Sequence, residues 1–202
     1  MRFLSPLALI LSLTLAVPAF ATQEYYLPTL FDVSDVAPDD VLNIRAAPNA
    51  GAEIIGTLAP DATRIEVVEE GRSWGRVSVG EVSGWVSMRY LSYRTDVWEE
   101  GHLPDSFRCY GTEPFWSMHV AGTDLIYSTP DMVEERRPVS AILSTGVFRD
   151  PTRAVVAEGI TLTATPQLCS DGMSDRVMGM RALAVLTGKD ARMLTGCCWI
   201  QP

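Results

Sequence analysis

The chain has 202 residues, of which 47% are hydrophobic and 20% charged, and its formal net charge is −9. This length accommodates one or two domains, and the composition is that of a folded protein rather than a disordered one. The charge is uneven: residues 22–106 hold 15 acids and 6 bases, whereas residues 107–202 hold 10 acids and 9 bases. An acidic first half repels polyanions, which disfavours nucleic acid and anionic lipid surfaces as partners.

Residues 1–21 have the pattern of a secretory signal peptide. Arg2 precedes an apolar run over residues 4–17, and Ala19-Phe20-Ala21 supplies the small residues of a cleavage site. Proline and hydroxyl residues interrupt the run, whereas a membrane span needs about 20 apolar residues. No cysteine lies near the cleavage site to carry a lipid. We expect a periplasmic or secreted protein that does not insert into a membrane after signal cleavage.

Four cysteines, Cys109, Cys169, Cys197 and Cys198, all lie in the second half of the chain. An even number of cysteines in an exported chain predicts two disulfides. A structural metal site would need ligand pairs at Cys-x-x-Cys or Cys-x-x-His spacing, and adjacent cysteines do not provide it. The sequence therefore predicts no metal site and no cofactor.

Residues 22–40 are interpreted as a leader with little regular structure, because prolines and acids interrupt them, except where Tyr25, Tyr26, Leu27, Leu30 and Phe31 pack. From residue 41 to residue 91, short β-rich runs alternate with turn residues, which is typical of a small all-β barrel. The predicted strands are 42–45, 54–58, 63–68, 74–78 and 84–86. Turns are predicted at 60–62, 69–73, Gly80 and 87–91.

Several runs in this region resemble the bacterial SH3-type (SH3b) domain. They are LNIR at 42–45 followed by Pro48, IGTL at 55–58, Trp74 with Val77, and GWV at 84–86 before Tyr90-Leu91. The family usually has a glycine before the proline, where this chain has Ala46-Ala47. The resemblance implies a five-stranded, partly open barrel that commonly targets its host to cell-wall peptidoglycan or to a peptide.

Four residues of this domain are candidates for ligand binding: Arg45, Trp74, Trp85 and Tyr90. Aromatic faces beside a cation present rigid apolar area with a polar edge, which suits peptide or sugar contact. The alternative is that they pack the barrel itself, since so small a domain has few large side chains for its core. This alternative has most weight for the two tryptophans.

Residues 92–106 are interpreted as a linker, in which Trp98 is expected to dock on one of the two domains. From residue 107 onward, strand-like runs recur between turns, and residues 130–137 are predicted to form a charged, solvated loop. The predicted fold class is all-β: an SH3-like barrel followed by a second, disulfide-linked antiparallel β-barrel or sandwich at 107–202. About seven or eight strands are expected there.

Cys197 and Cys198 are consecutive in a predicted strand, so their side chains point to opposite faces. Each is expected to bond a distant partner, which leaves two pairings open: Cys109 with Cys197 and Cys169 with Cys198, or the reverse. The acidic run that follows Cys169 lacks the ligand spacing of a calcium loop, since Met173 occupies a ligand position. It is interpreted as a disulfide-anchored turn.

Three motifs of the second half resemble a family of uncharacterised secreted proteins and lipoproteins of proteobacteria. They are GxEPFW at 111–116, CSDGMSD at 169–175 and GCC at 196–198. The resemblance covers nearly all of residues 107–200 and implies no established activity. A looser likeness, in architecture and disulfides alone, is to small periplasmic β-barrels that inhibit lysozyme.

No catalytic set emerges from the sequence, and we expect a protein that is not an enzyme. The only histidines, His102 and His119, provide no distant partner for a thiol or hydroxyl nucleophile. Glu113 is the best single carboxylate for glycoside cleavage, and a turn role beside Pro114 is the alternative. Two hypotheses remain: an exported protein whose SH3b module binds peptidoglycan or a peptide, or an envelope inhibitor or weak hydrolase in the second domain.

Overall fold

The computed structural model describes residues 25–189 and 191–201, so the signal peptide expected over residues 1–21 lies outside the described residues. The described chain is all-β, which confirms the predicted fold class. An N-terminal region of two sheets is followed by a closed eight-stranded antiparallel barrel that carries two disulfides. No helix in the described residues has the length and apolar character that a membrane span requires.

The N-terminal region contains the five predicted SH3-like strands and three further ones. Its strands are β1 (Thr29–Val33), β2 (Leu42–Arg45), β3 (Ile54–Leu58), β4 (Ile65–Val67), β5 (Glu69–Gly71), β6 (Trp74–Val79), β7 (Val82–Ser87) and β8 (Leu91–Tyr93), with a 3-10 turn at Met88–Tyr90. One sheet has the order β3-β2-β7-β6-β5, and the other has the order β4-β1-β8. The turn predicted at 69–73 is in fact shorter, because β5 pairs with the start of β6.

Strand β1 lies in the segment that the sequence predicts to have little regular structure. It pairs antiparallel with β4 on one side and with β8 on the other. Successive side chains of a strand point to opposite faces, and here both faces are buried. Leu30 belongs to the core of the C-terminal barrel, and Phe31 belongs to the core of the SH3 region. One strand therefore serves two hydrophobic cores.

The C-terminal barrel is an up-and-down meander in which each strand pairs with the next along the chain. Its strands are β9 (Arg108–Thr112), β10 (Phe115–Ala121), β11 (Asp124–Thr129), β12 (Met132–Ser144), β13 (Arg153–Ala157), β14 (Ile160–Cys169), β15 (Met178–Leu186) and β16 (Arg192–Trp199). Pairing of β16 with β9 closes the ring. Closure removes free strand edges, which are otherwise prone to pair with other chains.

The prediction of a loop over residues 130–137 is wrong for all but its first two residues, because the 13-residue strand β12 begins at Met132. Its backbone pairs with β11, and the register runs from the pair Thr129 and Met132 to the pair Asp124 and Pro138. This pairing is needed to complete the barrel. The charged side chains are accommodated by short-range ion pairs along the strand. Arg136 faces Asp124 and Glu134, and Arg137 bonds Glu135.

Side chains fill the interior of the barrel, as is usual for eight strands. Trp116, Met118, Leu125, Leu162 and Met180 are among its fully or almost fully buried members. Val97, Trp98 and Phe107, which flank or belong to the predicted linker, are part of the same core. Trp98 docks on the barrel and donates its indole Nε1–H to the carbonyl oxygen of Pro28, across 2.8 Å. Ligands must therefore bind to the outer surface of this barrel.

The two regions pack directly on each other. The Ser83 hydroxyl oxygen accepts the backbone N–H of Val177 at 2.8 Å, and the Ser78 hydroxyl donates to the Val177 carbonyl at 2.9 Å. Val82 and Asp175 form a β-bridge beside them. These bonds join the β6–β7 hairpin of the SH3 region to the loop before β15. The two regions are thus joined by hydrogen bonds to the Val177 backbone, and also by strand β1, whose side chains enter both hydrophobic cores.

Candidate functional site

One face of the five-stranded SH3 sheet displays a cross-strand row of large polar and aromatic side chains. Arg45 on β2 is the Cα partner of Trp85 on β7, and Trp85 is the partner of Arg76 on β6. Residues directly opposite one another share a face of the sheet. The Arg76 guanidinium lies 5.8 Å from the centre of the Trp85 ring and also contacts Glu69 at 3.3 Å. Trp85 therefore lies between two arginines.

A cleft of about 530 Å³ opens at the end of this sheet. We name it the SH3 cleft; its lining includes the side chains of Asp35, Asp40, Arg45, Trp74 and Tyr90. Three of the four sequence-predicted candidates, Arg45, Trp74 and Tyr90, line it together. The fourth, Trp85, stands beside Arg45 in the row described above and is not part of the cleft lining.

The wall of the SH3 cleft that the sequence did not predict comes from residues 35–42. Asp35 and Asp40 lie on the connection between β1 and β2, which the sequence assigns to a leader. This connection is held in place because the backbone N–H of Ser34 donates to the Tyr90 carbonyl at 2.9 Å. In the sequence, only the acidic character of the leader could have pointed to Asp35 and Asp40 as part of a binding site. Their spacing along the sequence does not place them near Trp74, because the path of residues 35–42 depends on the pairing of β1 with β4 and β8.

Fixed hydrogen bonds position the charged groups of the SH3 cleft. The Arg45 Nη1 donates to the Ala52 carbonyl at 2.8 Å, and the Asp40 Oδ1 accepts the backbone N–H of Val41 at 2.7 Å. Within the described residues, no ion pair links Arg45, Asp35 or Asp40 to another charged side chain. The cleft thus offers a cation and two carboxylates to a ligand, beside two aromatic rings.

A second and larger surface cavity, of about 790 Å³, lies on the C-terminal barrel. The three sequence motifs of this domain converge on it: residues 110–115, residues 169–173 and residues 195–197 all contribute to its lining. We name it the barrel groove. Glu113, the sequence-predicted carboxylate candidate, is exposed at this groove, and Arg181 of β15 lines it as well.

Much of the GxEPFW and GCC motifs has a structural role around Trp116. The indole is 3% exposed and donates its Nε1–H to the Thr195 carbonyl at 3.2 Å. A Cβ on Gly111 would collide with Trp116 itself, and one on Gly196 would collide with the carbonyl of Tyr110. Both positions need glycine because the tryptophan and the strand β9 approach so closely. These residues build the barrel wall rather than a ligand contact.

The disulfides join Cys109 to Cys198 and Cys169 to Cys197. Cys109 and Cys198 are cross-strand partners on β9 and β16 and lie in the barrel core. The second bridge fastens the end of β14 to β16 at the barrel groove. All four cysteines are therefore bonded, and no thiol nucleophile is present.

Asp171 fixes the loop that walls the barrel groove. Its carboxylate accepts the Tyr110 hydroxyl at 2.8 Å and the backbone N–H groups of Met173 and Ser174 at 2.9 and 3.1 Å. Burial acts to raise the pKa of Asp171, but these donors outweigh it, so the pKa lies below its ordinary value. Burial, together with the bond to Asp171, raises the pKa of Tyr110. Asp171 is thus an ionised, structural carboxylate.

Among the described residues, neither histidine forms a hydrogen bond with a serine or threonine hydroxyl. His102 is exposed, and its Nδ1 lies 2.9 Å from the Glu100 carbonyl oxygen. His119 is half-buried on β10; burial and then the charge of Arg108 hold its pKa below the ordinary value. Within the described residues, no group of three His, Cys, Asp or Glu side chains has an arrangement that would hold a metal ion.

Comparison with known families gives one match, over residues 40–92, to the bacterial SH3 domain. Residues 40–92 form a bacterial SH3 domain. The match covers the strands β2 to β7, the first two residues of β8 and most of the SH3 cleft. No curated protein and no solved structure matches the chain. The SH3 domain is consistent with cell-wall binding, and together with the two disulfides it indicates an extracytoplasmic protein.

Proposed function

We propose that the protein is an exported, non-enzymatic binding protein whose SH3 cleft binds the peptide stems of cell-wall peptidoglycan. The observation that carries the proposal is the lining of one cleft by Trp74, Tyr90 and Arg45 together with the carboxylates of Asp35 and Asp40. Rigid aromatic rings supply contact area at a low cost in conformational entropy. The charged side chains of Arg45, Asp35 and Asp40 then determine which peptides bind.

The charge pattern of the SH3 cleft favours a ligand that carries both an amine and a carboxylate. Asp35 and Asp40 suit an ammonium group, whereas the Arg45 guanidinium suits a carboxylate. Peptide stems of peptidoglycan carry both groups at close spacing. A polyanion meets two carboxylates here and a strongly acidic first half of the chain, so it is a poor ligand.

The proposal that the protein lacks an enzymatic activity is supported by the chemistry of its side chains. Every cysteine is in a disulfide, and within the described residues neither histidine forms a hydrogen bond with a serine or threonine hydroxyl. Nucleophilic catalysis needs such a pair. The SH3 cleft contains no histidine or cysteine.

Sedimentation of the protein with purified, insoluble peptidoglycan tests the proposed function. The double variant Asp35→Asn, Asp40→Asn keeps the geometry of the connection, because asparagine tolerates the positive φ of 56° at position 35 and still accepts the Val41 amide. It is expected to reduce the pelleted fraction several-fold. Asp39→Asn, an exposed acid outside the cleft lining, is the matched control and is expected to bind as the parent does.

Binding that is absent in the parent protein, or that is equal in the double variant and the control, would refute the proposed use of the SH3 cleft. Trp74→Ala provides a second, aromatic test, and its circular dichroism shows whether the sheet is intact. Loss of binding with an unchanged spectrum supports the proposal.

A second candidate function, an envelope inhibitor or a weak hydrolase, is favoured by one observation: two carboxylates, Glu113 and Asp171, line the same barrel groove. Paired carboxylates are the catalytic groups of most glycosidases. However, both oxygens of Asp171 already accept hydrogen bonds from the protein. Muralytic and lysozyme-inhibition assays of the full chain, with Glu113→Gln as control, test this candidate; inactivity in both assays removes it.

A further inference from the structure

One side of the barrel groove is a loop that hydrogen bonds and a disulfide hold in place. Two large apolar side chains at the groove are instead exposed to solvent. Asp171 holds the loop at 169–173, and the bridge between Cys169 and Cys197 anchors that loop to β16. By contrast, Phe115 and Met173 at the groove are 52% and 69% exposed. Their exposure is unfavourable in water and contributes nothing to the core of the barrel.

Phe115 lines two neighbouring depressions on the outside of the barrel. On one side it lines the barrel groove, and on the other it lines a smaller cavity of about 230 Å³ with Ser117, Ser128 and Thr129. It also alternates with the buried Trp116 on β10, so the strand fixes the outward direction of its ring. An exposed aromatic ring is thus shared by the polar barrel groove and a smaller cavity that combines hydroxyl groups with apolar side chains.

Two opposite charges at the barrel groove are left without partners. Glu113 and Arg181 both line it, and in the described part of the chain neither forms an ion pair or a side-chain hydrogen bond. An exposed pair of this kind contributes little to stability. Both groups are nevertheless placed where a polar ligand in the groove would meet a donor and an acceptor.

We propose that the barrel groove binds an oligosaccharide, with one sugar ring stacked on Phe115 and its neighbours in the two depressions. A sugar ring has an apolar C–H face that packs on an aromatic ring and hydroxyl groups around its edge that bond carboxylates and guanidinium groups. Glu113 accepts hydroxyl hydrogen bonds, and Arg181 donates to ring substituents. A peptide cannot add a strand here, because the barrel has no unpaired edge.

That the oligosaccharide is a glycan strand of peptidoglycan rests on the proposed function. The experiment distinguishes glycan binding at the barrel groove from peptide binding at the SH3 cleft. Two soluble probes are titrated into the full chain by calorimetry: glycan strands freed of peptide by an amidase, and stem peptides freed of sugar. Glycan binding is expected in the parent protein. Phe115→Ala is expected to weaken it about tenfold, since the stacked ring supplies much of the contact. Arg181→Met is expected to weaken it several-fold.

Phe148→Ala is the matched control, because Phe148 is 78% exposed on the connection from β12 to β13 and lies outside the barrel groove. It is expected to leave glycan binding unchanged. Trp74→Ala is expected to retain glycan binding and to bind stem peptides about tenfold more weakly. Both Phe115 and Phe148 are exposed, so neither substitution is expected to alter folding.

Two results overturn the inference: glycan strands that do not bind the parent protein, or strands that bind Phe115→Ala and Phe148→Ala equally. If stem peptides bind in either case, the proposed function stands while the inference fails. If glycan strands bind in a Phe115-dependent manner and stem peptides do not bind, the inference stands and the proposed function fails.

Discussion

The backbone N–H of Ile200 donates a hydrogen bond to Oε2 of Glu66 across 3.3 Å, and this bond joins the end of the barrel domain to the SH3 region. Glu66 lies on β4 and is 3% exposed, and its other oxygen, Oε1, has no hydrogen-bond partner among the described residues. Burial raises the pKa of Glu66 to about 7, against opposing effects of the Ile200 amide and of Arg176. The contact between the two domains thus contains a carboxyl group that titrates near neutral pH.

Glu66 is expected to make the protein more stable at acidic than at alkaline pH. Because its pKa is higher in the folded protein than the 4.5 of the free side chain, its contribution is complete below pH 4.5. It is lost as the pH rises to about 7, by roughly 3 kcal/mol. Glu66→Gln is neutral at all pH values and keeps an acceptor for Ile200. Urea unfolding should show it more stable than the parent at pH 8 and similar to it at pH 4.

The control for this experiment is Glu81→Gln, an exposed acid on the β6–β7 connection. It is expected to leave the pH dependence of unfolding unchanged. A Glu66→Gln variant that is less stable than the parent at pH 8 would contradict the account, because it would mean that the ionised carboxylate is stabilised by Arg176 more than burial penalises it.

The two disulfides are expected to contribute unequally to stability. The bridge from Cys109 to Cys198 spans 89 residues, and the bridge from Cys169 to Cys197 spans 28. Loop-closure entropy then gives roughly 4.5 and 3.5 kcal/mol, respectively. The pair Cys109 and Cys198 is also in the core, so its replacement by alanine leaves a cavity. Denaturant midpoints of the two double alanine variants measure the difference; an equal or reversed order would contradict it.

Gly196→Ala is expected to destabilise the barrel severely. Its Cβ would collide with the backbone carbonyl of Tyr110, which cannot move without breaking the pairing of β9 with β16. The expected loss is about 3 kcal/mol or more. Gly71→Ala is the control, since nothing lies within 4 Å of its Cβ position. Thermal unfolding of both variants tests this; a Gly196→Ala protein with the parent's melting temperature would show that the Tyr110 carbonyl does not restrict position 196.

Arg153 is expected to hold the segment between the domains. It is 2% exposed and donates to the carbonyls of His102 and Glu99 at 3.0 Å each, as well as to that of Asp150. Arg153→Met keeps the aliphatic length and leaves these carbonyls without a donor, at a cost of about 2 to 4 kcal/mol. Hydrogen exchange should then accelerate over residues 99–107. Unchanged exchange there would contradict this role.

Much of the SH3 region was predictable because alternation of apolar and polar residues reports a half-buried strand. Residues 42–45 and 54–58 are predicted with the observed bounds. Strand β1 was missed because its two faces enter two different cores, so Thr29, Leu30 and Phe31 are all buried and alternation is absent. Its partners β4 and β8 are distant in sequence, and no local rule identifies them.

The charged segment at 130–137 shows a second limit of sequence patterns. Composition favours a solvated loop, and the strand exists because the barrel cannot close without it. The disulfide pairing was open for a similar reason. Adjacent cysteines restrict the choice to two pairings, and only the register of β9 against β16 places Cys109 opposite Cys198.

The SH3 cleft was predictable in part. Arg45, Trp74 and Tyr90 were candidates by residue type, because aromatic rings beside a cation suit binding. Asp35 and Asp40 were not, since their place in the cleft depends on the path of the chain from β1 to β2. The polarity of the cleft, and with it the kind of peptide it favours, follows only from the structure.

The most direct test of the central claim is isothermal titration of a sugar-free peptidoglycan stem peptide into the full chain and into its Trp74→Ala variant. We expect saturable binding at one site per chain, weakened about tenfold in the variant, since Trp74 is one of the two aromatic side chains that line the SH3 cleft. Absence of binding to the parent protein, or equal affinity in the two proteins, would contradict it.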